Sequence, residues 1–334
     1  MLRLGIFRLD EYRPEPSGWL DRLRWMVNRH RISLQLLRTG IPPSTQEIAV
    51  FEALMLGLRL NSGVYRTTFH RRFADLDRFV NDLLLERVPS TAALNIQDWA
   101  ASDCLTSSEW AASLFPLFPN ARLEASDLTL FLVEVNNGGD TLIMERDGQP
   151  LQYVGKSFLV NMNRPEQRPR VLTGMMLAHA RSVISKLNSH AIPAEWLDSD
   201  SDSLTLPPCM VRKLPMIHPE AALFRARNNR FSISRHSVFE ALSQPADVVR
   251  SMNIYNLTYF DTPQLAAGVK AVWSSLKPGG LWIVGRTWRE NPPAHNVSIF
   301  ERMDAGFELV RQYGDGSEID PIILGQTRTT LAVG

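Results

Sequence analysis

Ala246-Asp247-Val248-Val249-Arg250-Ser251-Met252-Asn253, Leu265 to Leu276, Lys277-Pro278-Gly279-Gly280 and Leu281-Trp282-Ile283-Val284-Gly285-Arg286 decide the fold. The first is a short apolar run with a polar end, which reads as a strand opening onto a ligand. The second is amphipathic at helical spacing and is closed by the Pro-Gly-Gly turn. The third apolar run reads as the next buried strand. Strand, helix and strand in that order predict one crossover of a parallel sheet.

Working outward, Leu94 to Trp99 reads as a first strand, Ser108 to Phe115 as a first helix and Arg122 to Asp127 as a second strand. Phe231 to Ser234 supplies another, after a helix from Pro219 to Arg227. The expected architecture is an α/β fold with a Rossmann-like, doubly wound, mostly parallel sheet. Upstream, Trp19 to Arg38, a segment starting at the capping-box pattern Ser44-Thr45-Gln46-Glu47, and Phe73 to Arg87 all read as helices. The domain boundary is therefore placed near residue 90, with a helical region over 1–89 and the α/β domain over 90–334. Residues 129–217 interrupt that domain. Thr141 to Glu145 and Pro150 to Val154 flank the hairpin turn Asp147-Gly148, and Val171 to Leu187 is a strong amphipathic helix. This insertion is read as a hairpin and helix forming a lid.

Composition bounds the function. The 334 residues are 44% hydrophobic, enough for a sizeable core, and the formal net charge of +1 provides no field that steers the chain to nucleic acid. Cys104 and Cys209 make no disulfide framework and lie in no zinc-spaced cluster, which fits a reducing cytoplasm and predicts no metal. No run of about 18 apolar residues is present, so no integral membrane association is expected. The first 38 residues carry eight Arg against four acids, but no apolar core of a targeting segment follows. The N-terminal helices are a candidate homodimer surface.

The quoted stretch, with Arg250, Met252-Asn253, Tyr259-Phe260 and Lys277 to Gly280, is similar to the chemotaxis-receptor methyltransferases, whose strand ends in Cys-Arg-Asn before a Tyr-Phe pair. More broadly it resembles the back half of a class I methyltransferase domain. The resemblance implies S-adenosylmethionine as cofactor, bound outside the carboxyl ends of the strands where the winding reverses. Asp98, Ala100, Ala101 and Ser102 occupy the place of the glycine-rich loop for the amino-acid end of the cofactor, although Asp98 to Cys104 contains no glycine. Asp127, followed by Leu128, stands where the family holds the ribose hydroxyls. His236 and Ser237 stand where it meets the adenine. Asn253 and Tyr255 face the methyl donor and, with His236, are the candidate catalytic residues.

Methyl transfer to an acceptor needs alignment more than a strong base. Where a proton must be taken, His218, His236 and His295 are the candidates. The expected acceptor is a small molecule or a protein carboxylate or hydroxyl. The glycine-free loop keeps open a second reading, a methyltransferase-fold protein that has lost catalysis and binds a partner. Asn291-Pro292-Pro293 resembles a motif of amino-methylating nucleic-acid enzymes, but Ala294 replaces its aromatic and it follows the fifth strand, so it reads as a loop.

Overall fold

The computed structural model describes residues 33–37, 42–61, 66, 68–156, 158–162, 171–187 and 192–326. Along the chain run α1 (Thr45–Gly57), α2 (Ala74–Arg87), β1 (Asn95–Trp99), α3 (Leu105–Leu114), β2 (Arg122–Asp127), β3 (Phe131–Asn136), β4 (Thr141–Met144), β5 (Pro150–Val154) and β6 (Leu159–Asn161). They are followed by α4 (Val171–Leu187), α5 (Ala194–Asp198), β7 (Ser203–Leu206), β8 (Cys209–Pro215), α6 (Pro219–Arg227), β9 (Phe231–Arg235), β10 (Ala246–Met252), α7 (Thr262–Ser275), β11 (Leu276–Glu290), β12 (Pro293–Met303), β13 (Gly306–Tyr313) and α8 (Asp320–Leu324). Two compact units share the chain. One comprises residues 1–67 with 129–219, the other 68–128 with 220–334.

The second unit holds the expected doubly wound sheet, in the order β13-β12-β11-β10-β1-β2-β9. The pairs from β11 through to β9 are all parallel, whereas β12 and β13 are antiparallel additions. From β1 the chain winds out to β2 and β9, then returns to the other side of β1 as β10. The winding therefore reverses between β1 and β10, and a ligand is expected at the carboxyl ends there. Helix α7 begins at an Asp261–Gln264 capping box and buries Leu265, Val269 and Val272 with Val249, Trp282 and Val284. Its spacing of four and three residues is the core-facing stripe of an amphipathic helix.

Lys277 to Gly280 forms an irregularity inside the β11 span, which already starts at Leu276. Between the Ala246–Leu276 and Val248–Leu281 pairings, two steps along β10 face five along β11. Lys277 anchors the bulge through Asp247, at 2.8 and 2.9 Å. The Asn291-Pro292 pair forms the tip of the β11–β12 hairpin, as the loop reading expects.

Division by compactness falls at Thr68, with Val88-Pro89-Ser90 inside the second unit as the link from α2 to β1. Asn81 of α2 explains where that helix belongs: its Oδ1 accepts from the Trp110 indole of α3 at 3.0 Å. Of the segment Trp19 to Arg38, only residues 33–37 lie among those described, with Leu34–Leu37 a short 3-10 helix. The remainder lies outside them, so that of the helices offered as a candidate dimer surface α1 and α2 are described.

The first unit contains the expected hairpin, β4–β5, and the expected helix, α4. They belong to something larger, a six-stranded antiparallel sheet in the order β6-β5-β4-β3-β8-β7. Side chains alternate across it. Leu132, Ile143, Leu151 and Leu214 pack under Leu34, Leu37 and the α1 residues Val50, Phe51, Leu54 and Met55. Val133, Val135, Leu142 and Val211 pack on the other face with Ala180, Ile184 and Trp196. Among the described residues, no helix is long and apolar enough to cross a membrane.

Candidate functional site

Four loops leave the carboxyl ends of β1, β2, β9 and β10. The loop after β1 has an unusual backbone. Ala100, Ser102 and Cys104 all adopt left-handed conformations, with φ of 55°, 57° and 65°. Asn253, at the end of β10, adds a fourth at 62°. An L residue in this region costs roughly 1–2 kcal/mol, with Asn the most tolerant after Gly. Such costs persist only where the surroundings over-determine them, and they concentrate at functional sites.

The surroundings here are specific. The Ala101 amide donates to the Ser126 carbonyl at 2.9 Å, and the Ser102 amide donates to Asp127 Oδ2 at 2.9 Å. The Cys104 amide turns back to the Ala101 carbonyl at 2.9 Å. These bonds lace the loop to the end of β2, so the chain reaches a glycine-like shape without glycine. Ala100→Gly is therefore expected to stabilise the protein by about 0.5–1 kcal/mol, since relief of the left-handed strain exceeds the entropy glycine adds to the unfolded chain. Thermal melts test this. A lower melting temperature would mean that the Ala100 methyl contributes more through packing than it costs in strain.

Asp127 closes β2 with its side chain largely buried and oriented by Ser102. Its main-chain carbonyl accepts from the His236 amide at 3.3 Å, which draws the turn after β9 against β2. The His236 ring lies 4.6 Å from that of Trp99, tilted by 50°, and its Nε2 is buried with no hydrogen-bond partner among the described residues. Burial lowers the His236 pKa, outweighing the opposing pull of Glu240 and Glu124. The imidazole is thus held neutral near physiological pH. Ser237 caps the same turn, its Oγ accepting from the Phe239 amide at 3.3 Å. Leu128 beside Asp127 is 52% exposed, an apolar surface at the strand ends.

Asn253 couples β10 to β11. Its amide donates to the Gly285 carbonyl at 2.8 Å and its Oδ1 accepts from the Thr287 amide at 2.6 Å. That second bond fixes the side-chain flip and directs Nδ2 away from β11 as a donor.

Two of the sequence candidates have other work. Asp98 is buried inside the sheet, where it receives Arg250 Nε at 2.9 Å and the Ser107 hydroxyl at 2.5 Å. Arg250 sits directly across from it in the parallel register. Tyr255 is buried in the core, edge-on to Trp282, and its hydroxyl donates to the Val238 carbonyl. Desolvation raises its pKa well above that of a free phenol, so it is no proton acceptor at neutral pH. Its position packs α7, whose Gly268 would place a Cβ 2.3 Å from the Tyr255 ring.

The histidines separate in the same way. His295 is buried on β12, with Nδ1 3.0 Å from Thr287 Oγ1 and Nε2 2.9 Å from the Arg72 carbonyl. His218 belongs to the other unit, 3.7 Å from Glu52. His236 follows β9 at its carboxyl end, while His295 is linked through Thr287 to Asn253 at the end of β10. The residue that sequence reasoning missed is Trp99, the platform under His236. Only its place as the last residue of β1 could have signalled it.

No protein-family model and no curated protein matches this chain. Among solved structures it is similar to the S-adenosylmethionine-bound amino pentose methyltransferase CalS10 from Micromonospora echinaspora, at 13% identity and a TM-score of 0.29, over 70% of this chain and 66% of that one. The sugar N-methyltransferase KedS8 from a Streptoalloteichus species aligns at 13% identity and a TM-score of 0.29, over 72% of each chain. An O-methyltransferase family protein from Burkholderia thailandensis aligns at 12% identity and a TM-score of 0.28, over 72% of this chain and 42% of that one. The chain thus spans just under two thirds of the first and well under half of the third. All three are named as methyltransferases. Likenesses this faint say nothing of what this chain binds.

Proposed function

We propose that the parallel-sheet unit is an S-adenosylmethionine-dependent methyltransferase domain. The observation that carries this reading is the laced pair of strand-end loops, in which the left-handed Ala100-to-Cys104 turn is tied through the Ser102 amide to Asp127. The residues suit the cofactor. Ala100 and Ala101 are small enough to let a ligand approach the main chain, and the Ser102 amide orients the Asp127 carboxylate. Asp127 would receive the ribose hydroxyls. Ala100, Ala101 and Ser102 would meet the amino-acid end, with Leu128, His236 and Ser237 around the adenine. The resemblance to the chemotaxis-receptor family and the strand-end position of Asn253 support its Nδ2 as a donor to the acceptor substrate. Asp98 and Tyr255 are assigned to the frame that holds these groups.

When bound, the cofactor supplies an activated methyl group on a sulfonium. Asp127, the Ala100-to-Ser102 loop and the turn at His236 would hold that group so that an acceptor beside Asn253 could take the methyl, and a hydroxyl acceptor would give up its proton. His236, neutral through burial, is the described group suited to receive that proton. The acceptor class is a small molecule or a protein carboxylate or hydroxyl, and a carboxylate would need no base at all.

Calorimetric titration with S-adenosylmethionine and with S-adenosylhomocysteine tests the proposal. Asp127→Ala should weaken both by about 10- to 100-fold, from the loss of charge-assisted hydrogen bonds of about 1.5–3 kcal/mol each. Asp127→Asn, which retains an acceptor for Ser102, separates cofactor affinity from loop folding. Saturable binding that ignores Asp127 would remove the assignment. No heat and no change in melting temperature would favour the second reading, a protein of this fold that binds a partner without transferring methyl groups.

A further inference from the structure

We propose that the antiparallel-sheet unit carries a separate binding site for a small hydroxycarboxylate, with the acid group held by Arg212. The site is a cavity of about 500 Å³ over β3, β8 and β7, within the usual range for small-molecule pockets. Its origin lies in one face of the sheet. Leu132 of β3 and Leu214 of β8 are cross-strand partners buried in the core under α1. Two residues along each strand, the same face turns polar, with Glu134 opposite Arg212, then Asn136 opposite Met210. Thr205 of β7 extends that row on the far side of Met210. A sheet face that changes from leucine to Glu, Arg and Asn ceases to be core and becomes the floor of a cavity.

The polar groups there are committed unequally. Glu134 is buried, and its Oε1 accepts from Gln35 Nε2 at 2.8 Å. Asn136 is used on both sides, donating to Thr141 Oγ1 and accepting from the Gly138 amide. Asn137 is held through Oδ1 by the amides of Gly139 and Asp140, which leaves its Nδ2 pair as donors. Arg212 is the most telling. Although it faces Glu134 in the register, it makes no ion pair with any described residue, and its Nε donates to Met210 Sδ at 3.2 Å. The two terminal nitrogens of that guanidinium, the Asn137 amide and the exposed Thr205 hydroxyl are donors lining one cavity.

A planar fork of donors beside an amide and a hydroxyl complements a carboxylate. Arg212 is the one cationic side chain among the described residues lining the cavity, so a second acid group would find no counter-charge, whereas hydroxyls suit the Asn137 amide and the Thr205 hydroxyl. A monocarboxylate bearing several hydroxyls satisfies both conditions.

Isothermal titration of the full chain with D-gluconate, D-glucose, hexanoate and citrate separates the requirements. Gluconate is expected to bind with a sub-millimolar Kd. Glucose, lacking the acid, hexanoate, lacking the hydroxyls, and citrate, with excess charge, should each bind at least about tenfold more weakly, a loss no larger than one charge-assisted bond supplies. Arg212→Gln should weaken gluconate by a similar factor, and Arg212→Lys, which keeps the charge without the fork, by less. Melting curves for both variants exclude unfolding as the cause. Asp127→Asn should leave gluconate affinity unchanged, so that this site and the methyltransferase reading stand or fall separately. No heat with gluconate at about 10 mM, or glucose binding as tightly as gluconate, overturns the proposal.

Discussion

Arg250→Ala is expected to destabilise the parallel-sheet unit by about 3–5 kcal/mol, the range for removing one partner of a buried ion pair. Arg250 is completely enclosed. Its guanidinium reaches Asp98 on β1 and, at 2.6 Å, Asp77 on α2, and it lies 4.1 Å from the Trp110 ring. The variant would leave two carboxylates facing each other in a dry interior. Against a total stability of about 5–15 kcal/mol, that loss is decisive. Urea denaturation measures it, and a midpoint within error of wild type would show that the carboxylates neutralise at little cost. Arg250→Lys should recover only part, because an ammonium cannot hold both carboxylates in a planar fork.

The same triad makes stability depend on pH. With both acids ionised it carries a net negative charge, and Asp77 responds by holding its proton to a pKa of about 7, driven up by burial and by Asp98 against the opposing pull of Arg250. A carboxyl whose folded value lies above its unfolded value contributes stability at low pH, and that contribution is lost as pH rises towards the folded value. Across about pH 5 to 7, wild type should therefore lose stability relative to Asp77→Asn, by up to about 1.4 kcal/mol per pH unit. Paired melts across this window test the sign. A constant difference between the two proteins would mean that Asp77 is ionised throughout.

Gly285→Ala should be nearly as damaging, at about 3 kcal/mol, the upper end of overpacking. A Cβ there would lie 2.1 Å from the Asn296 carbonyl oxygen and 2.7 Å from the Val297 Cα, both on β12. Colliding main-chain atoms cannot swing aside as a side chain would, so the hairpin must part. The effect should also reach the strand ends, because the Gly285 carbonyl accepts from the Asn253 amide. Denaturation midpoints and cofactor titration of the same variant test both parts. Wild-type values in both would mean that β12 yields without consequence.

What the sequence made legible was whatever local chemistry determines. Arg122–Asp127, Val171–Leu187 and Pro219–Arg227 coincide with their predicted limits because apolar periodicity and flanking turns define them within a dozen or so residues. The Ser44–Glu47 capping box is present as read, with both reciprocal bonds. Pairing between distant residues was not legible. Asp98 reads as a loop acid until Arg250, 152 positions away, is seen beside it. Phe131–Asn136 and Cys209–Pro215 are strands that pair with each other across four strands and two helices, and neither run alone specifies that register. Lys277 to Gly280 reads as a simple turn, whereas Asp247 holds it as a bulge within a strand. At the strand ends, the acid of Asp127 could be named from its position, but the left-handed backbone at Ala100, Ser102 and Cys104 has no signature when glycine is absent.

The interleaving of the two units along the chain has a consequence for synthesis. Helix α1 leaves the ribosome with Val50, Phe51, Leu54 and Met55 on its surface, yet the strands that bury them begin about 80 residues later and are completed only at Pro215. The parallel sheet likewise starts with β1 and β2 and then waits through more than a hundred residues for β9 and β10. Neither unit can close in the order in which it is made. Both folding nuclei must be assembled from early and late segments, which is slow where contacts are non-local. Nascent chains arrested near residue 200 would therefore expose two unfinished cores at once, and so depend on chaperone capture during translation.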